Sequence, residues 1–157
     1  MAFIKPFKAI RPTKDKAPFV VSRSYEKYGK KELRSILEFN PFSFLHIINP
    51  GFKFHKTISG KERYKLVHNR YMEFLEEDIF EKDQEESFYL YQIGKGDFQS
   101  LGFFCTCSLE DYANDTIKKH EDTLQRREKL LADYLHTVGF NAEPVLITYV
   151  DNPQIDG

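Results

Sequence analysis

Phe88-Tyr89-Leu90-Tyr91-Gln92-Ile93-Gly94-Lys95-Gly96-Asp97-Phe98 is the stretch on which the fold turns. Residues 88–93 are rich in aromatic and β-branched side chains, the composition of a strand. Gly94-Lys95-Gly96-Asp97 reads as a turn, because glycine accepts positive φ at no steric cost. Residues 98–107 then return as the partner strand. Gly94-Lys95-Gly96 is too short to cradle a phosphate, so the stretch is an antiparallel hairpin rather than a nucleotide loop.

Helical patterns lie on both sides of this hairpin. Residues 30–39 place Leu33, Ile36 and Leu37 on one face, and Asn40-Pro41 should end that helix, since a residue before proline leaves helical geometry. Ser59-Gly60-Lys61-Glu62 has the form of a capping box. The helix after it carries Tyr64, Val67, Tyr71, Phe74 and Leu75 on one stripe and is expected to run to about Phe80. The acidic residues at its far end, Glu73, Glu76, Glu77, Asp78 and Glu81, suit a solvated face. Ser108-Leu109-Glu110-Asp111 resembles a second capped start. Residues 124–138 form a third amphipathic pattern with Leu131, Tyr134, Leu135 and Val138 at core spacing, stopped by Gly139.

Four further segments read as strands. They are residues 3–10, broken by Pro12; Phe19-Val20-Val21; Phe44-Leu45-His46-Ile47-Ile48; and Pro144-Val145-Leu146-Ile147-Thr148-Tyr149, a buried type. Strands interspersed with helices, and one hairpin, favour an α/β class (α+β as the variant), with a mixed sheet flanked by helices, over a doubly wound parallel sheet.

The chain has 157 residues, 15% of them aromatic, which is enough for one domain whose interior is built from rings. Its 23 basic and 24 acidic side chains give a net charge of -1, whereas a dedicated nucleic-acid binder is usually basic. No apolar run reaches the roughly 20 residues of a membrane span, and no secretory leader opens the chain, so a cytoplasmic protein is expected. Cys105 and Cys107 are one residue apart, awkward for a disulfide, and are expected as buried reduced thiols.

The chemistry concentrates in Ile117-Lys118-Lys119-His120-Glu121-Asp122-Thr123. Cations beside a carboxylate keep it ionised, and a cation cluster suits a phosphate. Glu121 is the candidate general base, placed just before a helix where amides attract anions. His120 is the candidate proton shuttle or substrate-orienting group. Lys118, Lys119, Arg126 and Arg127 are the candidate phosphate-binding or substrate-binding cations. A solvated charged patch is the competing reading of the same residues. His46, inside an apolar segment, reads as a satisfied core histidine, and His55, His68 and His136 lack metal-ligand spacing. There is no Walker loop, Rossmann glycine fingerprint or nucleophile elbow.

The order of several segments is more specific than any one of them: Lys5-Pro6-Phe7-Lys8-Ala9-Ile10-Arg11-Pro12, Asn40-Pro41-Phe42-Ser43-Phe44-Leu45-His46, Asp111-Tyr112, the run at 117–123, and Glu143-Pro144-Val145-Leu146-Ile147-Thr148-Tyr149. The set resembles the amino-terminal part of the domain-of-unknown-function 1015 family of bacteria and archaea, over nearly the whole chain. Members of that family are usually longer and carry an Asp-Gly-His-His-Arg-type motif downstream, which this chain lacks. It is therefore expected to be a single domain, residues 1–157, and either an amino-terminal fragment of a longer member, inactive by itself, or a shortened member. The family's Pro-Tyr-Asp-Val stretch is replaced here by Phe19-Val20-Val21-Ser22-Arg23-Ser24-Tyr25.

The segment order is also similar to the ParB and sulfiredoxin-like fold, some of whose members phosphorylate free serine. The resemblance implies a phosphotransferase that uses a nucleotide donor, ATP or ADP with magnesium, and a small hydroxyl substrate. By that likeness Glu121 is the base. The rival readings are a nucleic-acid-associated module, disfavoured by the net charge, and a non-catalytic interaction domain; a homo-oligomer is compatible with every one of these readings.

Overall fold

The computed structural model describes residues 2–52, 57–120, 124–150 and 152. The class is α/β as expected. Its strands gather in three two-stranded ladders, all antiparallel. The helices are α1 (Ala17–Val20), α2 (Lys30–Phe39), α3 (Leu45–Ile48), α4 (Gly60–Glu76), α5 (Leu109–Ala113) and α6 (Gln125–Val138), with one 3-10 turn at Tyr25–Lys27. The strands are β1 (Ile4–Lys5), β2 (Ile10–Pro12), β3 (Phe80–Lys82), β4 (Tyr89–Lys95), β5 (Phe98–Phe104) and β6 (Thr106–Cys107).

The hairpin forms, but with Gly94 and Lys95 inside β4 rather than in the turn, and with the return strand ending at Phe104. β4 pairs β5 from Tyr89↔Phe104 to Lys95↔Phe98 across a two-residue turn, with Gly96 at φ 61°. The 3–10 segment is not one strand. It divides into β1, paired with β6, and β2, paired with β3, with a single bridge from Phe7 to Ser87 between them. Thus the amino-terminal segment crosses the base of the hairpin, touching Thr106 on one leg and Ser87 on the other.

The core is built on α4. Val67, Tyr71 and Phe74 are buried, with Tyr64 and Leu75 half-buried beside them, which is the stripe seen in the sequence. Around it lie Val20, Ile47, Ile79, Phe80 and Val138. Rings dominate the contacts: Tyr71 lies 4.3 Å from Phe140 and Phe74 lies 5.4 Å from Phe80, centroid to centroid. His68 Nδ1 meets the Val138 carbonyl at 2.9 Å and ties α4 to the end of α6.

α4 stops at Glu76, four residues before its expected end. Asp78 adopts the left-handed conformation at φ 53°. Ile79 N–H donates to the Phe74 carbonyl (2.9 Å) and Asp78 N–H to that of Leu75 (3.2 Å), the paired bonds of a Schellman cap. Ile79 and Phe74 then pack together in the core, as the motif requires, and Phe80 is freed to open β3 opposite Pro12. The other end of α4 also differs from expectation, since Ser59 makes no side-chain cap bond. At α5 the expected cap is present, with Ser108 Oγ accepting from Glu110 N–H at 3.2 Å.

Three apolar segments expected as strands are not strands. Residues 19–21 lie at the end of α1, where Pro18 sits in the first turn, a position that tolerates its missing N–H. Residues 44–48 hold α3, with Leu45 and Ile47 fully buried. A four-residue apolar run suits a buried helical turn as well as a strand, and periodicity cannot separate them. His46 is half-buried there with Nε2 3.1 Å from the Asn40 carbonyl, so the satisfied-histidine reading holds while the strand does not. Residues 144–149 are in no strand, and Val145 and Leu146 are 85% and 87% exposed, opposite to the buried type read from their composition. In α6, Tyr134, Leu135 and Val138 turn inward but Leu131 stays exposed. Gly139 ends the helix at φ 79°.

Candidate functional site

The charged run belongs to the connection between α5 and α6. The Asp111 carboxylate accepts the Phe3 N–H at 2.6 Å, fastening α5 to the amino-terminal segment. The Asp111 carbonyl accepts the Ile117 N–H at 2.8 Å, folding the chain back over α5. Asp115 makes that reversal at φ 60°, and Asn114 Oδ1 receives the Thr116 N–H at 3.0 Å.

Lys118, Lys119 and His120 follow in the exposed part of this connection. The Lys119 ammonium stands over the Tyr112 ring at 5.0 Å, a contact that orders a long flexible side chain without neutralising it. Arg126 and Arg127 are exposed in the first turn of α6, whose N-cap position, Leu124, supplies no side-chain bond. Residues 121–123, and with them the candidate base Glu121, lie outside the described residues, as does His55.

A depression of 380 Å³ lies close by. It is lined by Phe3, Lys5, Thr106, Cys107, Ser108 and Glu110, where β1 pairs with β6 at the foot of α5. A second, of 290 Å³, lies between α4 and α6 beside Tyr64, Asp133 and His136. Neither is lined by Lys118, Lys119, His120, Arg126 or Arg127. The first is assembled by a pairing across about a hundred residues, and no local pattern in the chain announces it.

Cys105 and Cys107 carry no disulfide, and both are half-buried. Burial first, then the neighbouring Cys105 thiol, push the Cys107 pKa upward. A raised thiol pKa lowers the fraction of thiolate, the nucleophilic form. Among the described residues no group of three or more His, Cys, Asp or Glu side chains is placed to hold a metal ion. Nor is any helix there long and apolar enough to cross a membrane.

The fold and this connection define a small α/β protein with a cationic loop leading into a helix. The chain belongs to the family described as "Protein of unknown function (DUF1015)", whose model matches residues 4–157. Nothing matches it among curated proteins or among solved structures. The likeness to the ParB and sulfiredoxin-like fold therefore rests on segment order alone.

Proposed function

We propose that this protein serves phosphoryl transfer from a nucleotide to a small hydroxyl compound, with free serine the first acceptor to try. The supporting observation is the set of exposed cations, Lys118 and Lys119 in the loop and Arg126 and Arg127 in the first turn of α6, on either side of Glu121 in the chain. Cations and an uncapped helix start suit a phosphate. The substrate oxygen attacks the terminal phosphorus, the bond from phosphorus to the departing nucleotide oxygen breaks, and the hydroxyl proton passes to the Glu121 carboxylate. Catalysis of this kind is mostly positioning and charge stabilisation. Lys118, Lys119, Arg126 and Arg127 would stabilise the charge of the phosphate group in this reading.

The test is nucleotide consumption by this protein across a panel of small hydroxyl metabolites. Glu121→Gln should lower the rate about 10²–10⁴-fold, the usual worth of a general base. Lys119→Ala should raise the KM for nucleotide. Full activity in Glu121→Gln would remove the assignment. A second reading, a non-catalytic interaction domain, is favoured by the apolar side chains that the hairpin exposes, among them Leu90, Leu101 and Phe103, and predicts no consumption with any acceptor.

A further inference from the structure

β5 ends at Phe104 and β6 begins at Thr106, so Cys105 is the residue at which the chain leaves β4 and takes up β1. Cys107 follows two residues on, opposite Ile4. Side chains two apart on an extended chain share a side. Here the two thiols meet, Cys105 being a side-chain hydrogen-bond partner of Cys107. Neither is in a disulfide, and both are half-buried.

The backbone that carries the pair is held on either side. Thr106 Oγ1 donates to the Lys5 carbonyl at 3.2 Å, and Ser108 N–H donates to the Phe3 carbonyl at 3.1 Å. Two thiols on a fixed frame are a chelate whose ordering cost is already met in the free protein. Cys107 opens onto the 380 Å³ depression, with Lys5, Ser108 and Glu110 among its other walls, and an ion can enter there.

Thiolates are soft ligands and select soft metal ions. Structural zinc wants four ligands, and among the described residues no third His, Cys, Asp or Glu side chain joins the pair. A pair of thiolates by itself suits a monovalent d10 ion of low coordination number. We propose that Cys105 and Cys107 bind one soft monovalent cation of the copper(I) type between their sulfurs, at the edge of this depression. Two metal–sulfur bonds form, and both thiol protons leave to solvent. The bound unit then carries one negative charge. The Lys5 ammonium on the same depression offsets it, while the Asp111 carboxylate, tied to the Phe3 N–H, opposes it. Because protons compete with the metal, binding strengthens as pH rises. The lysines and arginines assigned to phosphate line no part of this depression, so the site stands or falls apart from the phosphoryl-transfer reading.

Anaerobic titration of the reduced full chain with copper(I), in competition with the coloured chelator bicinchoninate, tests the proposal. One equivalent should be withdrawn from the chelator, and the native mass spectrum should show one copper in place of two protons. Cys105→Ser and Cys107→Ser should each weaken binding about 100-fold or more, since one thiolate has lost its linked partner. Bound copper should also protect both thiols of the wild type from iodoacetamide, a measurement that needs no variant to fold. Failure to compete with the chelator would overturn the proposal. So would a serine variant that binds as tightly as the wild type, protection of one thiol alone, or zinc(II) bound as tightly as copper(I).

Discussion

The Tyr89 hydroxyl ties the amino-terminal segment to the chain that leads into the hairpin. It donates to the Asp83 carboxylate at 2.6 Å, accepts the Ala9 N–H at 2.9 Å and lies 3.2 Å from the Phe7 carbonyl. Asp83 is held from its other side by Arg11 at 2.8 Å, and Arg11 also reaches Glu81 at 2.9 Å. The Tyr89 hydrogen bond, and after it the Arg11 guanidinium, hold the Asp83 carboxyl below its ordinary pKa. A depressed carboxyl stabilises the fold at pH above the ordinary carboxylate value near 3.9. That contribution is lost as pH falls through the lower folded value. Tyr89→Phe removes the first cause, so its stability should change less between pH 7 and pH 3 than that of the wild type, measured as urea midpoints. At neutral pH the variant should melt about 2–4 °C lower, the equivalent of one hydrogen bond in a domain of this size.

Helix ends show which parts of the fold were legible in the sequence. Gly139 announced the end of α6 because glycine is the residue that adopts a left-handed cap without strain. Asp78 makes the same cap on α4, but aspartate is also common on exposed helix faces, and among Glu73, Glu76 and Glu77 it read as one more solvated charge. The expected helix therefore ran on into β3. Asp78→Gly should stabilise the protein by about 1 kcal/mol by relieving the left-handed strain, read from the shift in urea midpoint at constant slope. Lys30–Phe39 and the hairpin were legible because each has both a period and a punctuating residue, Pro41 in one and Gly96 in the other. The segments at 19–21 and 44–48 have neither at sufficient length, and tertiary burial decided them. The cationic loop was legible as charge spacing. The depression at β1 and β6 was not, because its walls come from opposite ends of the chain.

Across the whole molecule, apolar burial is concentrated on α4. Ten hydrophobic side chains are buried among the described residues while 24 large ones remain exposed. The stability of the fold therefore depends heavily on few contacts. Phe74, fully buried, at the cap of α4 and against Phe80, should cost about 3–5 kcal/mol when changed to Ala. That is a large part of the 5–15 kcal/mol available to a typical domain. Urea unfolding followed by tyrosine fluorescence would measure it, and a loss below about 1 kcal/mol would mean the core is not organised around that helix.

The crossing of the hairpin base by residues 3–12 has a consequence for biosynthesis. Phe3 must wait for Asp111, 108 residues behind it, and Ile4 and Lys5 for the strand at Thr106–Cys107. At ribosomal speeds of 5–20 residues per second that delay is roughly 5–20 s. Throughout it residues 3–5 lack the strand and the carboxylate that hold them in the folded protein, so this end of the fold is completed late in synthesis.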